Sequence, residues 1–350
     1  MRLAWFAPTP DAIALELGRR HHVDGYDAGR AHDFVWRHAH APYDLTIFEL
    51  ADSPAHAYIW AYLFHYPGVL VLRATSVQHS RTDALTRQHR RHHLRAERAF
   101  AGSPLLRTPL AAARLVIVHD AATARDLQIE YPDIEVRVLP IGVTGSALTA
   151  TDAGVRFRYA APDPVLVERA ATRARDTGAR FDISPGLLDL QDRDVVIALE
   201  WPPTGAAPPE ALRAMAAGLP VIVFETQAVA SWPTLDPQTW QPRDYLSNRQ
   251  PVAISIDPRD EEHSVMLAMK RLSTDAALRA QLGTAAARWA TEHANVTDAA
   301  DAWEPVLQEA RSSRGTASAR ALPPHLTADG TERARTLLGD IGVTVDFLDS

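Results

Sequence analysis

Along the first 140 or so residues, apolar runs alternate with amphipathic stretches. A strand-like run at 2–7 is ended by the breaker Pro8-Thr9-Pro10, and a helix-compatible stretch follows at 11–20. The pattern then predicts strand at 43–50, helix at 55–64, an apolar strand at 69–74 introduced by Pro67-Gly68, and helix at 83–100. Strand at 115–119, helix at 121–130 and strand at 136–139 complete this part. Ser53-Pro54 reads as a helix start, with the serine as N-cap and the proline at the first position. Strands that are apolar throughout and separated by helices imply a parallel sheet covered on both faces, because crossover helices bury both sides. Residues 1–143 are therefore expected to form a doubly wound α/β domain.

Residues 144–154, TGSALTATDAG, are small and polar, as an interdomain linker should be. Beyond them the alternation resumes, with strand at 155–159, helix at 164–177, and strands at 180–184 and 195–199. A helix at 210–217 is followed by Gly218 as its stop and by a strand at 220–224. A last strand, ending at 256, leads into helices at 261–273, 276–293 and 297–312. Residues 155–312 are expected to form a second, abbreviated α/β domain. Residues 313–350 form a tail with helical pattern at 329–338.

Composition narrows the classes. A chain of 350 residues suits two domains of about 150 residues each. No run of eighteen apolar residues is present to span a bilayer. The start, MRLAWFAP, lacks a long apolar segment with a cleavage site, so a cytoplasmic protein is expected. Without cysteine there is no disulfide, thiolate metal site or Cys nucleophile. A formal charge of -7 opposes nucleic-acid binding. Lys270 is the only lysine and lies outside any GxxxxGK[ST] motif, which excludes P-loop chemistry.

Three segments in order resemble the retaining GT-B glycosyltransferases of family 4. The first, YDLTIFELADSPAHAYIWAYLFHYPGVLVLRATSVQHS (43–80), resembles the acceptor-side strand, loop and helix of its members. Next, ARLVIVHDAATARDLQIEYPDIEVRVLPIGV (113–143) resembles the strand, helix and strand that end the family's first domain with P-x-G-V. Finally, PPTGAAPPEALRAMAAGLPVIVF (202–224) resembles its donor-side loop, helix and strand with the AMAxGxPV core. With the helices after 257, the resemblance reaches to about residue 312. It implies two doubly wound Rossmann-like domains facing across a cleft, and transfer of a hexose from a nucleotide sugar to a glycan, lipid or small-molecule acceptor. The nucleotide sugar is the donor substrate, and neither cofactor nor metal is called for.

On that reading the loop Thr204-Gly205-Ala206 and the start of the following helix receive the donor diphosphate, through free N–H groups and the positive end of the helix dipole. A tight structural turn is the alternative. The family has two glutamates here, where this chain has Ala206 and Arg213. Glu210 is the nearest carboxylate, and an (i, i+3) ion pair with Arg213 is its plain structural reading. Arg158 is the best of three arginines, with Arg156 and Arg169, for the diphosphate charge, the others reading as exposed. Arg73-Ala74 stands where relatives carry His-Asp, and His79 is the nearest histidine to take that role. Asp52 and His56 are candidate catalytic groups, with Glu49 and Ser53 as acceptor contacts. Asp192-Arg193-Asp194 reads as a solvated turn. His89, His92 and His93 lie among arginines and read as a solvated basic helix, with an anionic protein partner or membrane surface as the alternative. The missing glutamates keep a second hypothesis open, a GT-B-like protein without turnover that acts as a binding or scaffolding partner.

Overall fold

The computed structural model describes residues 1–9, 11–87, 105–145, 148–150, 154–161, 163–187, 190–201, 203, 206–243, 249–313, 332–340 and 342. The chain divides into two compact units. One comprises Met1–Leu72, Val77–Val116 and the chain from Leu307, the other Arg73–Ser76 and Ile117–Val306.

The first sheet has six strands, β1 (Arg2–Phe6), β2 (His22–Tyr26), β3 (Leu45–Leu50), β4 (Val69–Leu72), β5 (Leu115–Val118) and β6 (Val136–Val138), in the spatial order β2-β1-β3-β4-β5-β6. The pairs β1/β2, β1/β3 and β3/β4 run parallel. Every residue of β3, β4 and β5 is buried, which is why these strands read as unbroken apolar runs. The helices are α1 (Ala12–Leu17), α2 (Asp33–His40), α3 (Ile59–His65), α4 (Gln78–Arg87), α5 (Arg107–Ala112) and α6 (Ala121–Glu130). Ser53 and Pro54 open a 3₁₀ turn, Pro54–His56, that precedes α3, and the Ala55 N–H donates to Ser53 Oγ at 3.3 Å.

The pattern gave no sign of β2. It is an edge strand, HVDGY, and only Tyr26 in it is buried. Side chains hold it in place instead. Tyr26 and Tyr43 join hydroxyls at 2.5 Å, and the Tyr43 O–H donates to Asp24.

The second sheet comprises β7 (Arg156–Ala160), β8 (Asp182–Pro185), β9 (Asp194–Ala198), β10 (Val221–Phe224), β11 (Thr234–Leu235) and β12 (Ala253–Ile256), in the order β11-β12-β10-β9-β7-β8. It is parallel throughout. Helices α7 (Pro164–Asp176), α8 (Pro209–Ala216), α9 (Glu261–Thr274), α10 (Ala276–His293) and α11 (Val296–Ser312) follow the predicted spans closely, and α12 (Glu332–Asp340) lies in the tail. α9 packs on α7, and α10 on α8.

Both sheets share one topology over their first four strands. The chain makes its first two strands side by side, then returns past the first to build outwards on its other side, and in the second sheet β12 is inserted between β10 and β11. The resulting switch points lie between β1 and β3 and between β7 and β9. The carboxyl ends of strands at such points are where open α/β sheets receive ligands.

Gly218 shows how the AMAAGLP segment works physically. It adopts φ +81 just after α8, with its N–H on Met215 O and the Leu219 N–H on Ala214 O. This pair of bonds is a Schellman closure. The glycine carbonyl then faces Gly283 of α10, so closely that a Cβ there would lie 2.1 Å from it.

Candidate functional site

At the carboxyl end of β3 the chain turns through Asp52, Ser53 and His56. Asp52 reaches the start of α4, where the His79 N–H donates to its Oδ1 at 2.6 Å and the Ser80 N–H at 3.4 Å. The His79 ring donates from Nδ1 to Asp52 Oδ2 at 3.0 Å. A carboxylate accepting at Nδ1 leaves Nε2 of the neutral imidazole as the acceptor nitrogen, on a side chain that is three-quarters exposed. The structure thus joins two of the sequence candidates into a carboxylate–imidazole pair. His56 is engaged with Ser53, Oγ to Nδ1 at 3.1 Å.

Glu49 is turned inward, contrary to its expected outward role. It is buried in β3 and accepts the Trp5 indole N–H at 2.7 Å. Strand alternation aims it there. Its neighbours Phe48 and Leu50 take the opposite face, and Trp5 on β1 pairs with Ile47, two residues away and on the same face as Glu49.

Directly after β4 and β5 stand Arg73 and His119. Arg73 Nη1 donates to His119 Nε2 at 2.9 Å, and His119 Nδ1 donates to Leu139 O at 2.9 Å. Both ring nitrogens are therefore assigned. Desolvation, and secondarily the adjacent guanidinium, hold the His119 pKa down to about 3, so the ring is neutral and acts as an acceptor for Arg73. Sequence reasoning singled out Arg73 but missed His119. The available signal was a polar residue directly after the apolar run LVIV.

On the second sheet, β9 is followed by Leu199-Glu200-Trp201. Trp201 is 53% exposed, with its ring 6.1 Å from that of Phe224. Thr204 and Gly205 lie outside the described residues, as do His89, His92 and His93. Ala206 is buried at the foot of α8. The N-cap of α8 is Pro208, whose side chain accepts no hydrogen bond from the helix's first-turn N–H groups, and Glu210 sits in that first turn. Among the described residues no ion pair joins Glu210 to Arg213, which is exposed.

The three arginines meet different fates. Arg158 lies in the middle of β7 rather than at its end, and its Nε donates to Gly186 O at 2.8 Å. Arg156 is not an exposed arginine. Its Nε and Nη2 fork onto Asp194 Oδ1 and Oδ2, each at 2.7 Å. Asp194 is accordingly no solvated turn residue. It is buried at the start of β9 and also accepts the Gln191 N–H at 2.8 Å. Arg169 pairs with Glu262 at 3.2 Å.

Sequence reasoning also missed Arg243. Its Nε donates to Ser255 Oγ at 2.7 Å, and its Nη1 lies 2.9 Å from Glu225 Oε2 at the carboxyl end of β10. Beside β12, hydrogen bonds from the Arg259 side chain and backbone hold Asp257 down to about 2. Among the described residues no group of three His, Asp or Glu side chains is placed to hold a metal ion, and no helix is long and apolar enough to cross a membrane.

No protein-family model matches the sequence, and no curated protein matches it. Solved structures do resemble it. Sucrose-phosphate synthase from Thermosynechococcus elongatus aligns at TM-score 0.55 and 13% identity over 88% of this chain and 98% of that one. HepE from Anabaena, in complex with UDP-glucose, aligns at TM-score 0.54 and 14% identity over 88% of this chain and all of that one. At such identity the likeness speaks for the fold, and together with the two parallel six-stranded sheets it makes this chain a GT-B protein with two Rossmann-like units.

Proposed function

We propose that the chain is a glycosyltransferase that moves a hexose from a nucleotide-sugar donor to a glycan, lipid or small-molecule acceptor in the cytoplasm. The observation that carries this reading is the likeness to HepE, which spans all of that chain and was solved with UDP-glucose bound. The second unit is the proposed donor side. There the first turn of α8, free of a side-chain cap, opens at the carboxyl end of the sheet, where N–H groups and helix dipole favour phosphate oxygens. A leaving diphosphate is stabilised by such donors without a metal.

On the first unit, Asp52 and His79 are the proposed catalytic pair. Asp52 fixes the Nδ1–H tautomer, and Nε2 takes the proton from the acceptor hydroxyl as it attacks. On the second unit, Arg73 is held by neutral His119 and supplies positive charge just beyond β4 and β5. The family-4 resemblance implies retention at the anomeric carbon, whereas single-step attack assisted by His79 would invert it. The anomeric configuration of the product, read by NMR, separates the two.

The test is a ligand panel of UDP, GDP, ADP and their sugar conjugates, read by thermal shift. A ligand at 100 times its dissociation constant stabilises the folded state by about 2.7 kcal/mol. A shift with one nucleotide, followed by sugar transfer that H79A abolishes, supports the reading. A flat panel supports the second reading, a binding or scaffolding protein without turnover, which the replacement of both family glutamates by Ala206 and Arg213 favours.

A further inference from the structure

One histidine of the first unit sits in a setting that only its neutral form satisfies. His38 lies in the last turn of α2, and the Tyr43 backbone N–H donates to its Nδ1 at 3.2 Å. A ring nitrogen that accepts must keep its lone pair, so the proton of the neutral ring is on Nε2. Phe34 and Tyr43 set their rings at 27° and 6° to the imidazole, with centroids 5.1 and 6.0 Å away, and Tyr66 meets it edge to face at 5.4 Å.

The titratable and charged groups around the ring do nothing to hold a second proton. From β1 comes Arg2, whose guanidinium lies 4.7 Å from the centre of the Tyr43 ring and donates to Ala41 O. Beyond α3, the Tyr66 hydroxyl is buried without a hydrogen-bond partner. The Tyr43 hydroxyl is engaged with Tyr26 and Asp24, and Asp44 with the Arg2 N–H and Arg311. Among the described residues His38 has no carboxylate partner, and burial, then Arg2, push its pKa below the ordinary 6.5. A proton on Nδ1 would set N–H against N–H and place a second cation beside Arg2. β2 is held independently, by its five-residue register with β1 and by Asp24, whose pairing with the exposed His22 ring at 3.1 Å gains from acid.

We infer that His38 is an acid-released catch: protonation of its ring frees the last turn of α2 and the chain as far as Tyr43, while β2 stays docked. The inference is independent of the catalytic reading. Its sign follows from the neutral ring being the one the fold binds. The contact is complete above pH 6.5, the unfolded value, and is lost as the pH falls from there through the lower folded value.

Hydrogen exchange of the full chain, followed amide by amide by NMR at pH 7 and at pH 5, tests it. Protection factors divide out the intrinsic effect of pH on exchange. In the wild type the factors of the Tyr43 N–H and of the Ala41 N–H, which closes α2 on Arg37 O at 2.8 Å, fall about tenfold at pH 5, the order expected for one buried hydrogen bond lost. The Ala7 N–H, which ties the end of β1 to Tyr26 O of β2 at 3.3 Å, stays within about twofold. H38N offers an amide oxygen in place of Nδ1 and takes up no proton, so its three factors match at the two pH values. H40N, which alters the exposed neighbour bonded to Trp36 O, responds as the wild type does. The inference is overturned if Tyr43 keeps its protection at pH 5, if H38N loses protection as the wild type does, or if Ala7 loosens in step with Tyr43. The wild-type chain alone decides the first and the last of these.

Discussion

Gly283→Ala in α10 sets two physical effects of opposite sign against each other. Propensity alone favours the change, since glycine in a helix interior is about 1 kcal/mol less favourable than alanine. Packing opposes it. The new Cβ would lie 2.1 Å from the Gly218 carbonyl oxygen and 3.1 Å from its carbon, and real Cβ atoms essentially never approach closer than 3.0 Å. The obstacle is backbone. That carbonyl belongs to the αL residue of a Schellman closure, and the next residue, Leu219, is tied back to Ala214 O ahead of Pro220, so it has no rotamer to swing away. α10 must therefore move off α8 by about 1 Å, at the upper end of the roughly 1–3 kcal/mol that overpacked cores lose. After the propensity gain, a net loss of about 2 kcal/mol remains. For the second unit, of about 190 residues, that lowers its melting midpoint by about 4–8 °C. Thermal unfolding followed by tryptophan emission reads it, because Trp289 of this helix packs its ring 5.1 Å from that of Trp232, tilted by 54°. Gly339→Ala in α12 is the control. A Cβ there meets nothing within 4 Å, so only propensity acts and the midpoint should not fall below that of wild type. A G283A chain as stable as wild type, or more stable, would refute the packing argument and return the site to propensity.

Asp194→Ala removes the buried carboxylate onto which the Arg156 guanidinium forks, its side chain about a quarter exposed, and should destabilise the second unit by about 3 kcal/mol in urea unfolding. Adding Arg156→Met should recover more than half of that loss. His119 gives a signed pH dependence. Its folded pKa of about 3 lies below the ordinary 6.5, so stability is full above pH 6.5 and falls as the unfolded chain takes up the proton between 6.5 and about 3. His119→Gln should flatten that part of the stability–pH curve. Glu49→Gln keeps an acceptor for the Trp5 indole and should cost less than about 1 kcal/mol, whereas Glu49→Leu leaves the N–H buried without it and should cost about 2 kcal/mol. Chemical denaturation of the two variants checks the order.

These perturbations divide into features the sequence displays locally and features it does not. α10 was legible to the residue because a sustained helical pattern starts at Asp275, whose side chain accepts the Leu278 N–H. Gly218 was legible as a stop because a positive φ after a helix favours glycine. By contrast, the polar pairs at strand ends join residues far apart in the chain, Arg73 with His119 across 46 positions and Arg156 with Asp194 across 38. Parallel strands need a crossover between neighbours, so their partners never sit in one sequence window. Asp194 illustrates the consequence, since in DRD its neighbours are charged and a solvated turn is the natural local reading, yet the pairing of β7 with β9 sets it opposite Arg156 and buries it. The trace such residues leave is positional. Arg73 and His119 each come immediately after an apolar run, VLVL or LVIV, and Asp194 immediately before VVIA. A charged or imidazole side chain at the first residue beyond a buried parallel strand has a neighbouring strand end within reach and little water to solvate it, so it must find a partner there. Applied to the remaining strands, the same reasoning draws attention to Glu225 after VIVF and Asp257 after AISI. Both are met by arginines, Glu225 by the distant Arg243 and Asp257 by Arg259, two residues on in the same turn.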